Sequence, residues 1–251
     1  MPHAGILIAP WLLFLAFAAP AAAQVNGPPR PQPSGADHLT LEERGDLAMI
    51  HQEYVAAIEF YRQGPQNSAD IWNKLGMAWH HLFAMDAAKR DYEHALRLRP
   101  EYPQALNNLG AVYYSQKNYR KAVRYYRKAL ALDQSSATMY SNLGTAYFAE
   151  QKFQDGLAAY QKAFALDPGV FNDADHLNVS EPLPASGRAQ QDYCIARIFA
   201  QSGKTSEALD FLRRALDEGF EDRGKLFRDQ TLASVRGTPE FAQLMSEEQL
   251  R

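Results

Sequence analysis

His80 and His81 stand side by side, the usual beginning of a metal site. Successive positions on a helix diverge by about 100°, so the two imidazoles cannot close on one ion. Gly203-Lys204-Thr205 has the ending of a phosphate-binding loop. That loop needs a glycine at position 198, where Ile198 stands, and a strand before it, so the three residues read as a turn between paired helices. Asp173, Asp175 and Asn178 offer oxygen ligands but lack the central glycine and terminal glutamate of a calcium loop, which leaves a solvated loop. No H-E-x-x-H, G-x-S-x-G or complete phosphate loop occurs. No general base, nucleophile and orienting group can be assembled from a recognised spacing, so the expectation is no catalytic residue, no cofactor and no metal site.

The remaining reactive groups have plain readings. Cys194, the single cysteine, sits beside Ile195 in an apolar helical stretch, where a small buried thiol is expected; the alternative is a bridge between two chains in an oxidising compartment. Asn178-Val179-Ser180 is a glycosylation sequon only in a eukaryotic secretory pathway. Arg120, Lys121, Arg124, Arg127 and Lys128 interleave with Tyr119 and Tyr125, a pattern that suits phosphate or nucleic acid. Tyr119, Ala122, Val123, Tyr126 and Ala129 form an apolar stripe at helical spacing, which puts these cations on the opposite, solvated side. Lys plus Arg number 26 against 29 Asp plus Glu, a net charge of −3, so the balance gives no reason to expect nucleic acid as a partner.

The elements that carry these residues follow from composition and repetition. With 46% hydrophobic and 22% charged residues among 251, the chain can build a sizeable core. Residues 4–23 carry no charged side chain and end in Ala21-Ala22-Ala23 before Gln24, which reads as a cleaved signal peptide over 1–23. The expected location is periplasmic or secreted; a segment of about 20 apolar residues left uncut would instead be a membrane anchor. Pro28, Pro29, Pro31 and Pro33 make 24–37 an extended spacer, with a reach of roughly 40 Å.

From His38 the chain repeats at an interval of 34 residues. Trp72, Leu106 and Tyr140 share one position; Leu75, Leu109 and Leu143 the next; then Gly76, Gly110 and Gly144; then Trp79, Tyr113 and Tyr147. Ala88, Ala122 and Gly156 keep step in the second half, as do Tyr92, Tyr126 and Tyr160, then Ala95, Ala129 and Ala163, with Pro100 and Pro168 closing two units. Each unit reads as two amphipathic helices, neither able to bury its stripe alone, so neighbours must stack. As a large core side chain, Trp72 would cost ~3–5 kcal/mol on truncation to Ala. Gly156 in place of Ala would weaken its helix by about 1 kcal/mol.

These residues resemble the tetratricopeptide repeat family, whose 34-residue unit has an aromatic, Leu-Gly, Tyr, Ala, an aromatic and Pro in that order. The resemblance implies an all-α fold, an α-solenoid of helix-turn-helix repeats over 69–102, 103–136 and 137–168. Upstream, Leu41, Gly45, Tyr54, Ala57 and Tyr61 make 38–68 a degenerate repeat cut short by Gly64-Pro65. Downstream, 169–188 reads as a loop insertion carrying Pro182 and Pro184; 189–251 is a further degenerate repeat (Ile195, Ala196, Phe199, Gly203, Ala208, Leu212, Ala215) plus a helical cap begun by Thr238-Pro239-Glu240. From Asp167 through this tail the chain also resembles secreted bacterial repeat proteins of unknown role.

In that family the first helix of each unit lines a concave groove for a segment of another protein. The resemblance places Asn73, Met77, His80, Gln104, Asn107, Asn108, Tyr114, Thr138, Asn142, Thr145 and Phe148 there. His80, Tyr114 and Phe148 are expected to form an exposed column for apolar or aromatic groups, with Trp79, Tyr113 and Tyr147 one position earlier in the core; Asn108 and Asn142 are expected to bond a peptide backbone. Family members that clamp a C-terminal carboxylate use Lys and Arg where this chain has Asn73, Thr138 and Asn142, so only Asn108 matches that clamp. The favoured reading is an exported, non-catalytic scaffold or assembly factor with a protein or peptide partner; the alternative is an enzyme with a site between the groove and the 169–188 insertion.

Overall fold

The computed structural model describes residues 39–171, 183 and 185–247. The expected signal peptide and Pro-rich spacer lie outside the described residues, as do Asp173, Asp175 and the sequon at Asn178. All regular structure among the described residues is helical. Helices α1 (Leu41–Ile50) and α2 (Tyr54–Gln63), α3 (Ala69–His81) and α4 (Met85–Leu98), α5 (Pro103–Ser115) and α6 (Tyr119–Leu132), α7 (Ala137–Ala149) and α8 (Phe153–Leu166) form four antiparallel pairs. A fifth pair, α9 (Ala185–Gln201) and α10 (Thr205–Asp217), is followed by α11 (Arg223–Arg228), a 3-10 turn (Gln230–Leu232), α12 (Ala233–Arg236) and α13 (Pro239–Glu247). The second helix of each of the first four pairs packs on the first helix of the next, so the expected solenoid and its helical cap are both present.

Local sequence sets the boundaries. Thr40 closes a capping box on α1: its Oγ1 accepts from the Glu43 amide at 3.2 Å while its own amide donates to Glu43 Oε2 at 2.7 Å. Ser68, Asn118 and Ser136 accept amides at the starts of α3, α6 and α7, and Pro103 occupies the first turn of α5. Thr238 caps α13 as expected, accepting from the Phe241 amide at 3.2 Å. The turns inside the pairs pass through one left-handed residue each: Gln52, Phe83, Lys117 and Gln151 at φ of 57–60°, and Gly203 at 76°. Gly203-Lys204-Thr205 is therefore a helix–helix turn, as its sequence context implied.

Close approach at glycine governs the packing inside each pair. A Cβ added at Gly110 would meet Cε1 of Tyr126 at 2.7 Å, and one at Gly76 would meet Cε1 of Tyr92 at 2.5 Å. Gly45 faces Tyr61 and Gly144 faces Tyr160 in the same way. All four tyrosines are fully buried, each ring lying against bare backbone. In the fifth pair the equivalent positions hold Ala196 and Leu212, both with no exposed surface.

Three expectations need correction. Trp72 is only half-buried: its ring stacks on His94 at 3.9 Å and its Nε1 donates to the Gln66 carbonyl at 2.8 Å, so truncation removes less buried area than a core ring would. Gly156 does more than loosen a helix, because a Cβ there would lie 2.8 Å from Cε2 of Phe148; the glycine makes the space that the ring fills. Finally, α9 begins at Ala185, inside the segment 169–188 read as a loop. Cys194 is buried on α9, in line with the inert-thiol reading.

The Gly110–Tyr126 contact makes an opposite-sign prediction to helix propensity. Gly110→Ala gains about 1 kcal/mol of propensity, yet it should destabilise the protein by a net ~1–3 kcal/mol through overpacking. In the Tyr126→Leu background, which reproduces the Ala196/Leu212 combination, that penalty should disappear. Urea unfolding followed by far-UV circular dichroism across the double-mutant cycle measures the coupling; additive effects would refute the contact as the cause.

Candidate peptide-binding face

The first helices α3, α5 and α7 lie next to one another, which brings their asparagines into a ladder. Asn142 Nδ2 donates to Asn107 Oδ1 at 3.1 Å, Asn107 Nδ2 to Asn108 Oδ1 at 3.4 Å, and Asn108 Nδ2 to Asn73 Oδ1 at 3.1 Å. The ladder ends where Asn73 Nδ2 approaches Met77 Sδ at 3.7 Å. Asn73, Asn107 and Asn142 are buried, so their amides mainly satisfy one another across the repeats. Asn142 Oδ1 and Ser141 Oγ are buried without a hydrogen-bond partner among the described residues.

Thr145 is also turned inward. Gln191 Nε2 donates to Tyr160 Oη at 2.6 Å, Tyr160 Oη bonds Thr145 Oγ1 at 2.8 Å, and Thr145 Oγ1 donates to the Ser141 carbonyl at 3.1 Å. This buried chain joins α9 through α8 to α7. Gln191 was missed from sequence because it lies outside the 34-residue repeats, with only its amide chemistry to mark it.

Of the eleven residues assigned to the groove, Met77 and Gln104 are exposed, and His80, Asn108 and Thr138 are partly exposed. The expected exposed column is corrected: Tyr114 and Phe148 are each only 1% exposed. Tyr114 packs on Tyr119 with centroids 5.2 Å apart, and Phe148 packs on Phe153 and Tyr160 inside its own pair. Of the preceding column, Tyr113 is buried in the core as expected, whereas Trp79 and Tyr147 are corrected to half-buried residues packed against it. The physical reason for the burial of Tyr114 and Phe148 is that both rings pack against the second helix of their own pair, Tyr114 on Tyr119 and Phe148 on Phe153 and Tyr160, with Gly156 leaving room for the Phe148 ring.

Burial acts on the one histidine of this column. His80 has its pKa pushed down to about 4, chiefly by burial and then by neighbouring His81, so the ring is neutral in the folded chain near neutral pH. On the outer side, Arg120, Lys121, Arg124, Arg127 and Lys128 of α6 are all exposed, as a solvated face requires. Lys121 lies 5.1 Å from the Tyr113 ring centre, and Arg124 and Lys128 each 5.4 Å from that of Tyr125.

Tetratricopeptide repeat models match residues 69–102, 103–136 and 137–170. No curated protein sequence matches the chain. Among solved structures, MamA of AMB-1 is 19% identical, covering 72% of this chain and 98% of its own, with a TM-score of 0.50. MamA (41-end) from Desulfovibrio magneticus RS-1 is 18% identical, with coverages of 73% and 95% and a TM-score of 0.50. YrrB, described as a TPR protein with an unusual peptide-binding site, is 19% identical, with coverages of 75% and 89% and a TM-score of 0.47. The likeness to the two MamA structures is one of fold.

Two measurements follow from the burial pattern. Tyr114→Ala should cost ~3–5 kcal/mol, as large-to-small core changes do, and at least as much as Tyr113→Ala; urea melts of the two variants compare them directly. The His80 contribution to stability has a defined sign. The unfolded chain takes up a proton near its ordinary pKa of 6.5, whereas the folded chain resists until about 4, so stability falls as pH drops through this window. Thermal melts between about pH 7 and 4 should show a shallower loss for His80→Phe than for the parent protein; parallel curves would refute the assignment.

Proposed function

The chain belongs to the tetratricopeptide repeat family, and from that premise we propose that it is an exported, non-catalytic scaffold that holds a segment of a partner protein on the face made by α3, α5 and α7. The observation that carries this reading is the asparagine ladder across those helices, which fixes their relative positions while Met77, Gln104, Asn108 and Thr138 keep accessible surface. An extended segment would meet thioether, amide and hydroxyl groups at that face, a set suited to a peptide backbone with apolar side chains. The buried Tyr114, Asn142, Thr145 and Phe148 would support this face from beneath without touching the partner. Export rests on the uncharged segment 4–23 and its alanine run, with the Pro-rich spacer holding the repeats away from a membrane wherever that segment stays uncut. A role in assembly follows from the same chemistry, since a rigid multi-repeat face brings segments together without reacting with them.

The test uses a photo-crosslinking side chain placed at Gln104 and, as control, at Arg127 on the exposed outer side of α6, each expressed in the native compartment. Gln104 should capture a defined protein band absent with Arg127, and the purified chain should have the intact mass of a protein beginning at Gln24. Equal capture from both positions would refute the α3–α5–α7 face, and a full-length membrane species would refute cleavage and release.

A further inference from the structure

A second site lies away from that face, where the last full repeat meets the C-terminal helices. A cavity of about 320 Å³ opens between α8, α9 and α11. Phe153 and Leu157 of α8 supply an apolar wall, and Tyr193 and Cys194 of α9 are buried residues of its lining. Three cations line it, Arg197, Lys225 and Arg228, against the single carboxylate of Asp229.

That carboxylate is already committed. Asp229 accepts from Arg197 Nε at 2.8 Å, from the Tyr193 hydroxyl, and from the Thr231 amide and hydroxyl at 2.9 and 2.8 Å. Burial works against its charge, but the bonds from Tyr193 and Thr231 and the Arg197 charge more than offset this, holding the carboxyl below its ordinary range. Asp229 thus neutralises Arg197. Arg228 reaches Asp222 at 3.3 Å from an exposed position on the rim. Lys225 has no carboxylate within ion-pair distance among the described residues; its ammonium lies 4.8 Å from the Tyr193 ring centre and 6.0 Å from that of Phe220. The two rings stack with centroids 4.6 Å apart, so they hold the cation in place beside the cavity.

We propose that this cavity binds a small organic carboxylate, its charged group on Lys225 and Arg228 and its apolar body against Phe153, Leu157 and the Tyr193 ring. The volume stands at the lower end of the roughly 300–1,000 Å³ range of small-molecule pockets, which suits one aromatic acid or one terminal residue of a polypeptide. One ammonium and one rim guanidinium match a single negative charge, and the apolar wall rewards a ligand that is more than an ion. The buried thiol of Cys194 is raised above its ordinary pKa, chiefly by burial, and stays a neutral part of the lining.

Isothermal titration calorimetry of the full chain tests this with four probes. Benzoate represents a free aromatic acid, N-acetylphenylalanine a polypeptide's terminal residue, benzamide a neutral isostere of the first, and inorganic phosphate a bare anion. At least one of the two carboxylates should bind saturably at one per chain, and the tighter of them identifies the source. Benzamide and phosphate should bind at least about tenfold more weakly. Lys225→Met, which keeps the stem and removes the charge, should cause a similar loss without shifting the melting temperature; Arg228→Gln on the exposed rim should also weaken binding and gives the answer if Lys225→Met fails to fold. The proposal is overturned if neither carboxylate saturates at millimolar concentration, if benzamide or phosphate binds as tightly, or if the folded variants bind like the parent.

Discussion

A tyrosine ring laid on the backbone of a glycine sets the distance between the two helices of each of the first four pairs, and the placement of nearly every other side chain depends on that distance. The glycine precedes its tyrosine by 16 residues in Gly45/Tyr61, Gly76/Tyr92, Gly110/Tyr126 and Gly144/Tyr160. A methyl group at the glycine would push the ring out and separate the helices, and close-packed interiors have no spare volume to absorb such a shift. The fifth pair keeps the spacing with a larger first residue and a smaller second, Ala196 and Leu212. In a neighbouring layer the bare backbone of Gly156 leaves the space that the Phe148 ring fills, since a Cβ there would lie 2.8 Å from the ring.

Once the pairs have a fixed thickness, they stack at a constant offset, and polar groups on the first helices meet at regular intervals. The asparagine ladder and the Gln191–Tyr160–Thr145 chain both depend on this regularity, because buried amides and hydroxyls are tolerable only where their partners recur at bonding distance. These networks tie α3 to α7 and α7 to α9, so the C-terminal helices are joined to the repeats by directional bonds as well as by the continuous apolar core. They also consume several of the polar groups that a groove would otherwise present. What stays accessible is a narrower set, centred on Gln104, Asn108, Thr138 and Met77.

Charge is organised differently on the two sides of the molecule's repeats. Lys121, Arg124 and Lys128 of α6 are exposed and rest on Tyr113 and Tyr125, while Arg120 reaches Glu150 at 3.8 Å. At the junction of α8, α9 and α11 the charges instead converge on a cavity, where Asp229 pairs with Arg197 and Asp222 with Arg228 on the rim. Aromatic faces position cations in both places.

The 34-residue interval, the recurring glycines and tyrosines, the cap at Thr238 and the turn at Gly203 were legible in the sequence, because each is a constraint between residues on one helix or on two helices joined by a short turn. Periodicity therefore determined the helical pairs and their stacking. Which side of the first helix meets solvent was decided only by tertiary structure: Tyr113 and Tyr114 differ by one position, about 100° around the helix, and that angle is read correctly only when the neighbouring helices are in place. Tyr114 and Phe148 were expected in the open, but Tyr114 is buried against Tyr119 and Phe148 fills the space that Gly156 leaves. The cavity is a still longer-range product, since Phe153, Tyr193 and Lys225 come from three helices in different units and share no repeat position. Local spacing carries a fold built from repeats, whereas a site formed where the repeat breaks down exists only once the chain has packed.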